Sequence, residues 1–146
     1  MKLIPNDRQI YVSARLWHEI DSKVRLAPFI YALHDGIDLT KYGDGLKKFY
    51  FTFLILRPER TLFPPGTYFD KEKRSAEIAV KIDYDKVLHS SKEEIIKMME
   101  DAYLEGIDLI STLPLPGEFD VAAFRKDVET IFAVDKWYEL AMEPSH

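Results

Sequence analysis

The chain has 146 residues, 47% of them hydrophobic and 31% charged, which is typical of one globular domain and not of a disordered or fibrous protein. The net charge of −5 argues against a direct nucleic-acid ligand, which needs surplus cations, and the lack of cysteine excludes disulfides and thiolate chemistry. No apolar run reaches the roughly 18 residues of a membrane span and the N-terminus resembles no signal peptide, so we expect a cytoplasmic protein without a membrane partner.

The first predicted elements are a strand and an interrupted helix. The segment "RQIYVSARL" (8–16) alternates apolar and polar side chains, which predicts a strand with one buried face. Helical spacing between residues 17 and 37 predicts a helix whose apolar stripe comprises Ile20, Val24, Ala27, Ile30 and Tyr31. Pro28 is expected to kink or interrupt this helix, and "KYGDGL" (41–46) is predicted to be a turn.

Two further strands are predicted in the middle of the chain. The segment "KKFYFTFLIL" (47–56) has no polar face except Thr52, which predicts a central strand buried on both sides. After an irregular, proline-rich connection, "AEIAVKIDYDKV" (76–87) alternates for nine residues. We predict that Ile78, Val80, Ile82 and Tyr84 face the helices, and that Glu77, Lys81 and Asp83 lie on a solvent-accessible sheet face. Because the connection shows no helical pattern, the two strands are predicted to pair antiparallel.

Two helices follow these strands. Ser91 and Glu94 form a capping-box pattern at the start of a helix predicted from about Lys92 to Thr112. Its apolar stripe comprises Ile95, Met99, Ala102, Tyr103, Gly106, Ile110 and Leu113. The next helix is predicted to bury Val121, Phe124, Val128, Ile131 and Phe132. The segment 134–146 is predicted to continue as a frayed helix, with Trp137 and Tyr138 docked on the protein.

The order of elements is β-α-β-β-α-α, which predicts an α+β fold: a small antiparallel sheet with helices packed on one face. The chain shows no internal repeat, low-complexity segment or linker. We therefore predict a single domain over 1–146, with a core at about 8–132 and a C-terminal tail at 133–146.

The candidate catalytic groups are few. The histidines lack the i, i+4 spacing of a helical zinc site, and the chain has neither a nucleophile-elbow serine nor a glycine-rich phosphate loop. The best pair is Asp83 and Asp85, two carboxylates at i, i+2 on the predicted strand, which are suited to a small metal-dependent hydrolase. Neighbouring Lys81 and the lack of a third ligand argue against this site. We therefore expect no metal, no cofactor and no catalysis.

The helix after Ser91 is strongly acidic. Residues 91–110 contain two lysines and six acidic residues, and four of the acidic residues share one face: Glu94, Asp101, Glu105 and Asp108. The simplest interpretation is a solvated face opposite the core. The alternative is a recognition surface for a basic partner, together with Asp83 and Asp85 at the end of the preceding strand.

Several segments resemble, in order and spacing, the immunity protein 44 family of bacterial polymorphic toxin systems. They are "YGDGL", the apolar strand after it, "AEIAVKIDYDKV", "LEGIDLI" and "FDVAAFRKDV", and together they span about residues 8–132. The resemblance implies a non-enzymatic protein that binds and neutralises a cognate toxin in the cell that makes it. It assigns no functional residues. The acidic helix predicts that such a toxin presents a basic surface. Two other interpretations stay open: a hydrolase built on Asp83 and Asp85, and a structural or adaptor domain.

Overall fold

A computed structural model describes residues 9–16, 27–55, 65–134, 137 and 139. The strands are β1 (Ile10–Leu16), β2 (Lys48–Ile55), β3 (Gly66–Asp70) and β4 (Ser75–Lys81). The helices are α1 (Ala27–Gly36), α2 (Tyr84–Leu88), α3 (Lys92–Leu109) and α4 (Val121–Val134). Short 3-10 turns follow α1 at Leu39–Tyr42 and α3 at Ile110–Thr112.

The four strands form one mixed sheet in the order β1-β2-β4-β3. β1 and β2 are parallel, β2 and β4 are parallel, and β3 and β4 form an antiparallel hairpin. The predicted antiparallel pairing of β2 with β4 is therefore wrong. The connection between them contains an additional edge strand, β3, which pairs antiparallel with β4 and reverses the chain before β4 begins. The α+β class is confirmed.

The helices pack on one sheet face, as predicted, and aromatic side chains form the contact. Phe49, Phe51 and Phe53 of β2 are buried on this face. The ring of Tyr103 in α3 lies 4.8 Å from that of Phe51, and the ring of Phe124 in α4 lies 5.9 Å from that of Phe49. Phe29 of α1 makes a similar edge contact with Phe53, at 5.5 Å. An aromatic layer thus lies in the core between β2 and three helices.

The register predicted for β4 is confirmed, but the strand ends earlier than expected. Ile78, Val80, Ile82 and Tyr84 are all buried, while Glu77, Lys81 and Asp83 are exposed. The strand itself ends at Lys81, and Tyr84 is the first residue of α2. Asp83 causes this change, because its carboxylate caps the N-terminus of α2.

The capping box at the start of α3 is confirmed. Ser91 Oγ accepts from the Glu94 amide at 3.2 Å, and the Glu94 carboxylate accepts from the Ser91 amide at 2.9 Å. These bonds satisfy two amides that have no partner within the helix. The predicted apolar stripe is buried from Ile95 to Ile110, and Leu113 is half-buried. In α4, Phe124 and Val128 are buried, while the other predicted stripe residues are half-buried.

The buried stripe predicted for the first helix is wrong at Ala27 and Tyr31, while Ile30 is half-buried. Tyr31 is 64% exposed, and Ala27 is exposed as well. The buried residues of α1 are Pro28, Phe29, Ala32 and Leu33. Pro28 lies in the first turn of α1, where a residue without an amide proton costs no helical hydrogen bond. The upstream part of the predicted helix, including Ile20 and Val24, lies outside the described residues.

The "YGDGL" turn packs closely against the loop that precedes α4. Gly45 N–H donates to the Glu118 carbonyl at 2.9 Å, and Asp120 N–H donates to the Tyr42 carbonyl at 2.8 Å. Gly43 has a φ of +131°, and a Cβ there would lie 2.1 Å from the Glu118 carbonyl oxygen. Glycine is required at residue 43 because both the backbone angle and the close approach exclude a side chain. The motif therefore connects the segment between α1 and β2 to the loop that precedes α4.

The tail docks on the protein at Trp137, as predicted. Its side chain is 1% exposed, and the indole N–H donates to Glu100 Oε2 at 3.2 Å. Burial raises the pKa of the Glu100 carboxyl. Tyr138 and most of the predicted frayed helix lie outside the described residues. Within the part of the chain that the structure covers, no helix has the length and apolar character needed to cross a membrane.

Candidate functional site

Three of the four acidic residues predicted to share a face of α3 form hydrogen bonds or ion pairs with nearby residues. Glu94 belongs to the capping box, and the hydrogen bonds from Ser91 lower the pKa of its carboxyl. Asp101 forms an ion pair with Lys97 at 3.0 Å, and Asp108 forms one with Arg125 of α4. Glu105 has no ion pair among the described residues. The face is thus exposed and acidic, but Glu105 alone of the four side chains has no such local contact.

The carboxylates of Asp83 and Asp85 do not project from a strand. Asp83 Oδ1 accepts from the amides of Asp85 and Lys86 at 2.9 and 3.3 Å, and Asp85 lies in the first turn of α2. Asp83 therefore has a structural role as a helix cap. Across the described ranges, no group of three or more histidine, aspartate or glutamate side chains is placed to hold a metal ion. The predicted i, i+2 geometry on a strand is wrong.

The second face of the sheet is not covered by any described helix. On this face β2 presents Tyr50 and Thr52, which are only half-buried, whereas Leu54 is buried. The prediction that β2 is buried on both sides is therefore wrong for the first part of the strand. We define this open face by two rows of residues that cross the strands.

The first row consists of large side chains. Strand register aligns Tyr11 with Tyr50, Tyr50 with Glu77, and Glu77 with Tyr68, so that four neighbouring strands contribute one residue each. The rings of Tyr11 and Tyr50 stack with centroids 4.4 Å apart and planes 6° from parallel. Tyr68 is 59% exposed and Glu77 is exposed. We call these four residues the tyrosine row.

The second row, two residues further along, consists of small side chains. Register aligns Ser13, Thr52, Ala79 and Gly66 in the same order of strands. The hydroxyls of Ser13 and Thr52 share a hydrogen bond of 3.0 Å. The step from large to small side chains leaves a groove of about 460 Å³ between the rows. Of the described residues that line this groove, Glu77 alone is charged.

A second hollow, of about 490 Å³, adjoins the groove at the start of β3. The two hollows share four lining residues: Pro65, Gly66, Thr67 and Ala79. The second hollow also contains Lys81 and, from α3, Glu105. The structure therefore places one residue of the predicted acidic face at the edge of a surface that leads to the groove.

Sequence reasoning identified Glu77 as solvent-facing but missed the tyrosines beside it. Tyr11, Tyr50 and Tyr68 come from strands that are far apart in the sequence, and their alignment depends on strand order and register. Tyr68 lies in β3, within the connection for which the sequence predicts irregular structure. For Tyr68 the available signal was the alternation of "GTYFD" (66–70), which places Tyr68 and Phe69 on opposite faces.

A family model described as immunity protein 44 matches residues 9–134. This range includes every described strand and helix and most of the chain. Searches among curated proteins and among solved structures return no significant match.

Proposed function

We propose that this chain, which belongs to the immunity protein 44 family, binds a cognate bacterial toxin and neutralises it without catalysing a reaction. The observation that carries the proposal is the family match over residues 9–134. Neutralisation then depends on a stoichiometric complex, in which the immunity protein covers the active site of the toxin or a surface that the toxin needs for its target.

The described surface supports a binding function. Tyrosine is enriched at protein interfaces because its ring buries much apolar area while its hydroxyl still forms hydrogen bonds. The open sheet face presents three tyrosines in one row across hydrogen-bonded strands. The best catalytic candidate, Asp83, instead caps a helix. These observations favour recognition over the hydrolase alternative.

The acidic face of α3 supports a contribution to the rate of association. Toxins that attack nucleic acids need cationic surfaces to hold their substrate. A negative field around Glu94, Asp101, Glu105 and Asp108, with Asp83 and Asp85 nearby in the sequence, would attract such a surface before contact. We therefore propose a basic toxin of a polymorphic toxin system, met in the cytoplasm of the cell that makes it.

The experiment that tests this function is coexpression with the product of the adjacent gene, which we propose to be the toxin. We expect a 1:1 complex by size-exclusion chromatography with light scattering, and loss of toxin activity only at equimolar immunity protein. Asp83→Ser is a suitable control, because serine keeps the helix cap and removes the carboxylate. This variant should still neutralise the toxin at equimolar amounts, because the loss of one carboxylate from the acidic field affects only the rate of association. Neutralisation at substoichiometric amounts, abolished by Asp83→Ser, would instead support the hydrolase.

A further inference from the structure

We propose that the groove beside the tyrosine row is the docking surface for the toxin, and that Glu77 receives an arginine or lysine side chain of the toxin there. This inference rests on the proposed function and deepens it, because it assigns the surface and the chemistry of the contact. The partner surface is therefore a protein segment with one cationic side chain flanked by apolar atoms.

The first argument is the charge of Glu77. Its carboxylate is exposed, and within the described residues it forms neither an ion pair nor a side-chain hydrogen bond. Several acidic residues of the protein have cationic partners, such as Asp127 with Lys41 at 3.3 Å and Asp101 with Lys97 at 3.0 Å, whereas Glu77, like Glu105, has none among the described residues. Glu77 lies at the centre of the sheet, in register with Tyr50 and Tyr68 on either side. The carboxylate of Glu77 is therefore available to form an ion pair with a cationic side chain of another protein.

The second argument is the aromatic surroundings of that carboxylate. A guanidinium or ammonium group near the face of a tyrosine ring gains a cation–π attraction in addition to its ion pair. Tyr11 and Tyr50 are already stacked at 4.4 Å, so their rings lose little freedom when a partner binds. Tyr68, at 59% exposure, offers most of its ring to a partner. Arginine suits this site best, because its planar group both stacks and donates in pairs.

The third argument is the shape of the groove. Side chains on one face of a strand are two residues apart, which is about 6.5–7 Å, and four strands span about 14 Å. A strip of this size, with a floor of Ser13, Thr52, Ala79 and Gly66, accommodates one long side chain and the backbone beside it. The floor also offers the hydroxyls of Ser13 and Thr52 as hydrogen-bonding groups.

The surroundings of the groove favour a cationic protein over a second copy of this chain. A symmetric dimer through this face would place the unpaired carboxylates of two Glu77 residues close together, which is unfavourable between chains that each carry −5. At the adjoining hollow, Glu105 continues the negative surface around the sheet edge. Lys81 lies in the same hollow and would repel a cation there, which favours Glu77 as the contact point.

The test measures, by surface plasmon resonance, the affinity and the dissociation rate of the purified product of the adjacent gene, the proposed toxin. We expect Glu77→Lys to weaken binding about 100-fold and Glu77→Gln about tenfold, mainly through faster dissociation. Tyr68→Thr, which keeps a strand-forming residue at the edge, should weaken binding about tenfold. The matched control is Glu118→Lys, which reverses one exposed charge outside both hollows and should change affinity less than about threefold.

The outcomes separate this inference from the proposed function. If the wild type binds the toxin and folded Glu77→Lys and Tyr68→Thr bind equally well, the groove is not the docking surface, although the immunity function stands. If the wild type itself does not bind the toxin, both proposals are wrong. A wild-type dimer in light scattering that Tyr68→Thr dissolves would make the groove a homodimer interface and overturn the assignment to the toxin.

Discussion

At the scale of single residues, two buried tyrosines have opposite environments. The Tyr42 hydroxyl donates to Asp127 Oδ2 at 2.6 Å and joins the turn after α1 to α4. This hydrogen bond lowers the pKa of Asp127, while burial and the neighbouring carboxylate raise the pKa of Tyr42. The Tyr103 hydroxyl is fully buried and has no hydrogen-bond partner within the described residues, and its burial raises its pKa. The Tyr42 hydroxyl therefore stabilises the fold, whereas the Tyr103 hydroxyl loses its hydration on folding and gains no hydrogen bond in return.

We expect Tyr42→Phe to lower the free energy of unfolding by about 1 kcal/mol near neutral pH, at the low end for a charged acceptor because Asp127 is partly exposed. The matched variant is Tyr103→Phe, which removes a buried hydroxyl without removing a hydrogen bond. It should leave stability unchanged or raise it slightly. Urea denaturation of both variants checks this, and a larger loss for Tyr103→Phe would contradict the assignment of these two environments.

The same contact makes part of the stability dependent on pH. Because the pKa of Asp127 is lower in the folded state, its contribution is present above the usual aspartate pKa of 3.8 and is lost as pH falls through the folded value. The cost of Tyr42→Phe should therefore shrink between about pH 6 and about pH 2. Denaturant midpoints at a series of pH values measure this, and a cost independent of pH would show that Asp127 is not the acceptor.

At the scale of elements, the distance between α3 and the sheet depends on Gly106. A Cβ at residue 106 would lie 2.4 Å from the Phe51 ring, which is itself packed against Phe49, Phe53 and Tyr103. The ring has little space in which to move. Glycine has a weak helix propensity, but its lack of a side chain allows α3 to pack closely on β2.

We expect Gly106→Ala to destabilise the protein by about 1–3 kcal/mol, even though alanine is the better helix former, because overpacking displaces the aromatic layer. The matched substitution is Gly66→Ala in β3, where an added Cβ meets no atom within 4 Å. That variant should stay within about 0.5 kcal/mol of the wild type. Thermal denaturation of the pair tests the close approach, and equal effects would contradict it.

At the scale of the whole molecule, we propose that different surfaces determine the rate of association with the toxin and the lifetime of the complex. The acidic face of α3 is proposed to speed association, and the tyrosine row is proposed to hold the complex. Long-range attraction is screened by salt, whereas a desolvated contact in a groove is much less sensitive. The two contributions therefore respond differently to ionic strength.

We expect the double variant Asp101→Lys and Glu105→Lys to associate with the toxin several-fold more slowly at low salt, with a nearly unchanged dissociation rate. The loss of the exposed Lys97–Asp101 pair should cost stability only about 0.3–0.5 kcal/mol. Stopped-flow association at increasing salt measures the effect, and the difference from the wild type should disappear at high salt. An association rate insensitive to both salt and charge reversal would leave this face as an ordinary solvated surface.

Local patterns in the sequence determined several elements of the protein correctly. The capping box of Ser91 and Glu94, the stripe of α3 and the buried face of β4 depend on residues a few positions apart, which interact within one element. The same local chemistry supported the α+β class. The family resemblance of the sequence motifs agrees with the family model that matches residues 9–134.

Only the tertiary structure decided the sheet and its open face. Strand order, the parallel pairing of β2 with β4 and the position of β3 arise from contacts between distant segments, on which a local alternation carries no information. Asp83 shows the same limit, because two carboxylates at i, i+2 fit a strand pattern until the chain turns into α2. The tyrosine row exists because register aligns Tyr11, Tyr50 and Tyr68 across Glu77. A one-residue shift in any strand would turn its member of the row toward the core.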